Sequence, residues 1–173
     1  MREEYDYLLR YGLLLALGLS ALAPFYWLIT PFTVYAVAGV LGLFGTTTIL
    51  AETTIVFQGA YIALIPACIA GAAYYLLLIC AFTLPLSWAQ RFKLLGMSWG
   101  LFFIGNILRI LLATYFITSN QTLFDLTHAL FWYAGSTLLV IACWFVTAFY
   151  YKIDKIPILT DIQQLLKAIR GGE

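Results

Sequence analysis

Charge is scarce in this chain. Only 10% of its 173 residues are Asp, Glu, Lys or Arg, and nine basic residues face eight acidic ones. A net charge of +1 gives no basic surface that would call for a nucleic acid. Histidine occurs once, at His128, and cysteine three times, at Cys68, Cys80 and Cys143. The cysteines are too far apart for a CxxC thiol–disulfide carrier, and a single histidine argues against a zinc site. There is no GxxxxGK[ST], no GxGxxG and no repeat of fixed period. Neither a metal nor a cofactor is expected.

What is present is apolar. Hydrophobic residues make up 64% of the chain and the mean hydropathy is +0.96. Long uncharged runs suit a hydrocarbon layer about 30 Å thick, so the expected fold is an all-α polytopic membrane protein forming one integral domain over 1–173. Five spans are expected: Tyr11–Ile29, Phe32–Ile49, Cys68–Leu86, Leu94–Ile117 and Ala129–Tyr150. The first two would be joined by a tight turn at Thr30–Pro31. The acidic start MREEYDY has no basic n-region, so no cleavable signal peptide is expected.

Two segments read differently. TTIVF and YIALI are β-branched and aromatic, with a turn signal at Gln58-Gly59 between them. That predicts an interfacial hairpin or extended loop before the third span. In the tail, Thr160 and Gln163 fit a capping box, and Ile162, Leu165, Leu166 and Ile169 form one stripe. That predicts a surface amphipathic helix over 158–170.

With five spans, Arg91, Lys93, Lys152, Lys155, Lys167 and Arg170 share one side, opposite Arg2 and Arg10. The positive-inside rule assigns the larger group to the cytoplasm and the amino terminus to the outside. The loops at 51–67 and 119–125 carry no Lys or Arg and would be extracytoplasmic.

Arg109 is the one charge well inside an expected span. Its burial at a helix centre costs about 2.5–3.5 kcal/mol on insertion scales, which favours a functional role over snorkelling. Asn106, three residues earlier, shares its helix face. Asp125 is placed to accept from His128 if a helix has begun there. Cys68, Arg109 and His128 then fall in one outer membrane layer. A thiol, a fixed cation and an acid–base group permit nucleophilic acyl transfer. The small residues Ala70, Gly71, Ala72 and Ala73 would let an extended peptide approach the thiol. Taken singly, Cys68 also fits a buried small hydrophobe, as Cys80 and Cys143 do.

PACIAG, NILR and the later histidine resemble the exosortase/archaeosortase family over about residues 50–135. The run VFQGAYIALIPACIAG resembles that family's extended segment leading into its cysteine. The resemblance implies a membrane-embedded cysteine protease/transpeptidase. Cys68 would be the nucleophile, His128 the acid–base residue and Arg109 the stabiliser of the transition state, with Asn106, Asp125 and Gly71 in support. Its partners would be secreted proteins with a carboxy-terminal motif, hydrophobic span and basic cluster, and a lipid or other anchor would accept the new carboxyl end. The chain departs from the family in having Ile69, Ala70 and Gly71 where Ser or Thr then Gly often follows the cysteine, and in being short. The alternative is a non-enzymatic membrane transporter or assembly subunit binding an anionic ligand at Arg109.

Overall fold

The computed structural model describes residues 2–119 and 135–153. Their order is α1 (Arg2–Leu19), α2 (Ala23–Gly42), β1 (Thr47–Ala51), β2 (Thr54–Phe57), β3 (Ala60–Ala63), α3 (Pro66–Ile69), α4 (Gly71–Phe82), α5 (Trp88–Ser119) and α6 (Ser136–Tyr150). The first residues of the fifth expected span, the 119–125 loop beyond Ser119 and the tail helix lie outside the described residues.

The described chain is mostly helical, but it is not the all-α fold expected, since it includes a three-stranded sheet, and the count of five spans does not hold. Among the described residues, two helices are long and apolar enough to cross a membrane, Ala23–Gly42 and Trp88–Phe116. Pro66–Phe82 and Ser136–Tyr150 are shorter apolar helical stretches.

The turn between the first two helices also moves. α2 runs straight through Pro31, whose missing N–H forfeits only one ladder bond. The break comes at Ser20–Leu22, where Ala21 and Leu22 adopt left-handed φ values of 51° and 61°. Neither is glycine, so no breaker residue marks the site. The usable signal was Pro24, at a position where proline starts helices well.

This break does not make a hairpin. Arg10 Nη1 donates to Phe82 O at 2.8 Å, and Tyr75 Oη donates to Leu14 O at 2.7 Å, so α1 is antiparallel to α4. In α2, Tyr26 packs on Gly71, while Phe25 meets Tyr75 and Trp99 edge-on. Further along, Leu41 and Phe44 share a cavity of about 470 Å³ with Leu111 and Tyr115 of α5. α2 is therefore antiparallel to α4 and parallel to α5. α1 and α2 advance in the same direction, as two parts of one bent traverse.

That path overturns the expected separation of Arg10 from Arg91. The Asp6 carboxylate Oδ2 lies 3.0 Å from Arg10 Nε and 3.6 Å from Arg91 Nη2. Both guanidiniums are only 2% exposed. Arg10 also caps Phe82 O, and Arg91 Nε and Nη2 cap Leu84 O at 3.3 and 3.1 Å. Two arginines thus satisfy carbonyls at the end of α4 and just beyond, where the helix itself offers no donors. α5 begins beside them with a capping box in which Ser87 and Gln90 bond reciprocally. It is 32 residues long, so it starts earlier than the hydropathy alone suggested.

The segment at 47–63 is a three-stranded antiparallel sheet in the order β1-β2-β3. The expected turn is there. Gln58 and Gly59 have φ of 49° and 85°, both positive as a type I′ hairpin turn demands, and Phe57 pairs with Ala60 across it. β1 adds a strand that the hairpin reading did not include. Ile55, Phe57 and Ile62 face the core.

Polarity is arranged inside out along α5. Ile104, Leu108, Leu112 and Tyr115 form an exposed apolar stripe, while Ser98, Asn106 and Thr114 are buried. Gly105 allows α6 close, since a Cβ there would lie 2.7 Å from Leu139.

Two substitutions test this packing. Arg10→Ala should destabilise the protein by about 3 kcal/mol, because it uncaps Phe82 O and leaves a buried charge network incomplete. Gly39→Ala, where a Cβ meets nothing within 4 Å, should be neutral or stabilising by up to about 1 kcal/mol. Thermal unfolding in detergent micelles reads both.

Candidate functional site

The site is built on a broken helix. Pro66 opens α3, a single turn, and Ala70 N–H bonds back to Pro66 O at 2.9 Å. Ala70 then takes a left-handed conformation, φ 58° and ψ 40°, and α4 starts on a new course at Gly71. Helix ends leave their last carbonyls without intrahelical donors. Here the donors come from α5. Asn106 Nδ2 donates to Cys68 O at 2.8 Å. Arg109 Nη2 donates to Ala67 O at 3.0 Å and, more weakly, to Cys68 O at 3.5 Å. The positive guanidinium meets the negative end of a helix, where a cation is favoured.

Three expected site residues therefore come together: Cys68, Asn106 and Arg109. The expectation that Asn106 and Arg109 share an inward face holds, with Asn106 fully buried. The Cys68 thiol is free, half-buried and within electrostatic reach of the guanidinium. Among the described residues, Arg109 Nε and Asn106 Oδ1 are buried with no hydrogen-bond partner. His128 and Asp125 lie outside the described residues.

Gly71 does not serve as expected. The space its missing side chain leaves is taken by the Tyr26 ring, which would lie 3.0–3.2 Å from an added Cβ. The glycine seats α2 against α4 and leaves no opening for a peptide at that point. Below it, Tyr74 meets Trp99 and Phe102 edge-on, and Trp99 Nε1 donates to Tyr74 O at 3.1 Å. This aromatic floor closes the site from the Arg10–Arg91 end.

Cys80 and Cys143 sit apart from Cys68. Cys80 is on α4, about 14 Å along that helix from its start at Gly71. Cys143 is buried on α6, near Tyr74. The residue the sequence reading missed is Ala70. Alanine in a left-handed conformation carries no sequence signal, since glycine or asparagine is the residue that would announce it.

Neither a protein-family model, nor a curated protein, nor a solved structure matches this chain.

The left-handed residue gives a signed prediction. An L-residue there costs about 1–2 kcal/mol, and the entropic cost of glycine is about 0.5–1 kcal/mol. Ala70→Gly should therefore stabilise by about 0.5–1 kcal/mol. Asn106→Leu should destabilise by about 1 kcal/mol, near the low end for a buried hydrogen bond, because it also removes the unpartnered Oδ1. Unfolding temperature checks the opposite signs.

Proposed function

We propose that this protein is a membrane-embedded cysteine peptidase/transpeptidase that cleaves carboxy-terminal sorting signals of secreted proteins and passes the new carboxyl end to a lipid or other anchor. The observation that carries the reading is the convergence of Arg109 and Asn106 on the backbone of Cys68. A thiol is held on a one-turn helix whose carbonyls are pinned by a fixed cation. The resemblance of PACIAG and NILR to exosortase/archaeosortase motifs concerns these same residues.

In this reading, His128 takes the Cys68 proton as the sulfur attacks the scissile carbonyl. Arg109 stabilises the negative charge that develops on the carbonyl oxygen, using its Nε–H, which has no hydrogen-bond partner among the described residues. Collapse of the intermediate releases the tail amine, which receives the proton from His128, and leaves a thioester on Cys68. An acceptor nucleophile from the anchor then displaces the thiolate. Arginine does not deprotonate in proteins, so it serves as a charge and donor and not as the base.

The membrane setting is supported by the buried polar and exposed apolar faces of α5. Four passes fit the directions of the helices: α1 with α2, α3 with α4, α5 and α6. Arg2, Arg10, Arg91, Lys93 and Lys152 then fall at one end, and Lys155, Lys167 and Arg170 follow Lys152 in sequence. The positive-inside rule makes that end cytoplasmic. The amino terminus is inside in this arrangement, and the sheet is outside with the Cys68 layer toward it. Arg109 lies 18 residues beyond Arg91, about 27 Å along α5.

A second reading has its own observation. Arg109 Nε is buried with no hydrogen-bond partner among the described residues, and this donor also suits a small anionic ligand held without chemistry, as a transporter or assembly subunit would hold it.

Co-expression with a co-encoded secreted protein bearing a motif, hydrophobic span and basic cluster at its carboxy terminus separates the two. Cys68→Ala should abolish trimming at matched membrane abundance, while Cys80→Ala and Cys143→Ala leave it nearly intact. Trimming by Cys68→Ala at the wild-type level would remove the peptidase reading. Arg109→Lys should cut trimming ~100-fold or more, since one ammonium does not reproduce the guanidinium's paired donors. An impermeant thiol reagent should label Gln58→Cys in intact cells, and labelling only in inverted vesicles would reverse the orientation.

A further inference from the structure

We propose that the outer edge of β3 binds the substrate's motif as an added antiparallel or parallel strand, delivering it to Cys68. The inference rests on the peptidase reading and names how its substrate is held.

The hairpin register decides which backbone groups are spent. Phe57–Ala60 and Ile55–Ile62 are the bonded pairs of a two-residue hairpin, and Leu64 N–H continues the ladder to Thr53 O at 2.8 Å. Tyr61 and Ala63, the alternate residues, turn their N–H and C=O away from β2. Among the described residues, no partner takes them. β3 is a terminal strand of the sheet, so nothing in the sheet covers that edge. The side chains follow the same alternation: Ile62 and Leu64 are buried, and Tyr61 and Ala63 are exposed.

This edge leads into the site. The chain stays extended through Ile65 and enters α3 at Pro66, two residues before Cys68. Outward amides spaced two residues apart complement an extended backbone. In the proposed setting the need is sharper, because an open sheet edge is not tolerated against lipid and needs water or another strand as partner. The edge reads main chain, so it would hold the motif tightly while imposing little side-chain preference. Preference would come from the groups around the exposed Tyr61.

The probe is a synthetic tail peptide from the co-encoded secreted protein, added to the full-length Cys68→Ala protein in micelles so that no cleavage follows binding. Amide hydrogen exchange at Tyr61 and Ala63 should slow ~10-fold or more, with Ile55 and Phe57 unchanged because they are already paired. Ala63→Pro, which removes one outward N–H and no β2–β3 bond, should weaken peptide binding ~10-fold. Trimming in cells without protection at Tyr61 and Ala63 overturns strand addition alone. Protection without trimming upholds strand addition and removes the peptidase reading. Absence of both removes both. Protection present before peptide, and unchanged by it, means that a second copy already holds the edge, which also overturns the proposal.

Discussion

The structure depends on how a helix break inside an apolar bundle is satisfied. Ala70 turns the chain and leaves α3 as one turn with exposed carbonyls. In an apolar interior, each unmet carbonyl would cost about 1–3 kcal/mol. Arg109 and Asn106, one turn apart on α5, meet that cost. The charge is tolerated because it has carbonyls to bind, and the break is tolerated because the charge is there. Each explains the other, and Cys68 sits between them.

The same device recurs at the far end. Arg10 and Arg91 cap Phe82 and Leu84 carbonyls where α4 gives way to a loop, with Asp6 between the two guanidiniums. Arginine suits both places because its planar fork offers several donors from one charge. The two sets differ in completeness. The Asp6 set contains its own carboxylate. Around Arg109, the described residues supply carbonyls and no acid, and its Nε–H is left over. That difference is why the proposed chemistry is placed at Arg109.

Between the two ends the packing is ordinary for closely apposed helices. Gly71 and Gly105 let Tyr26 and Leu139 approach, and Phe25, Tyr74, Trp99 and Phe102 interlock edge to face. These contacts set α2 against α4 and α5, and so place the sheet beside the upper half of the bundle. Only Leu64 and Ile65 separate β3 from α3, so the last strand of the sheet leads directly into the helical turn that carries Cys68.

Local sequence determined a good deal. Composition gave an apolar helical protein, Gln58-Gly59 gave the hairpin turn, and the i, i+3 spacing put Asn106 and Arg109 on one face. These are readable because residue type and spacing fix them over a few residues. Tertiary structure decided the rest. Pro31 does not end α2, since a helix packed along its length survives one lost bond. Ala21, Leu22 and Ala70 take left-handed conformations that alanine and leucine do not announce, since neither residue type favours that region. Arg10 meets Asp6 and Phe82, the latter 72 residues away, and no local pattern encodes a contact of that reach.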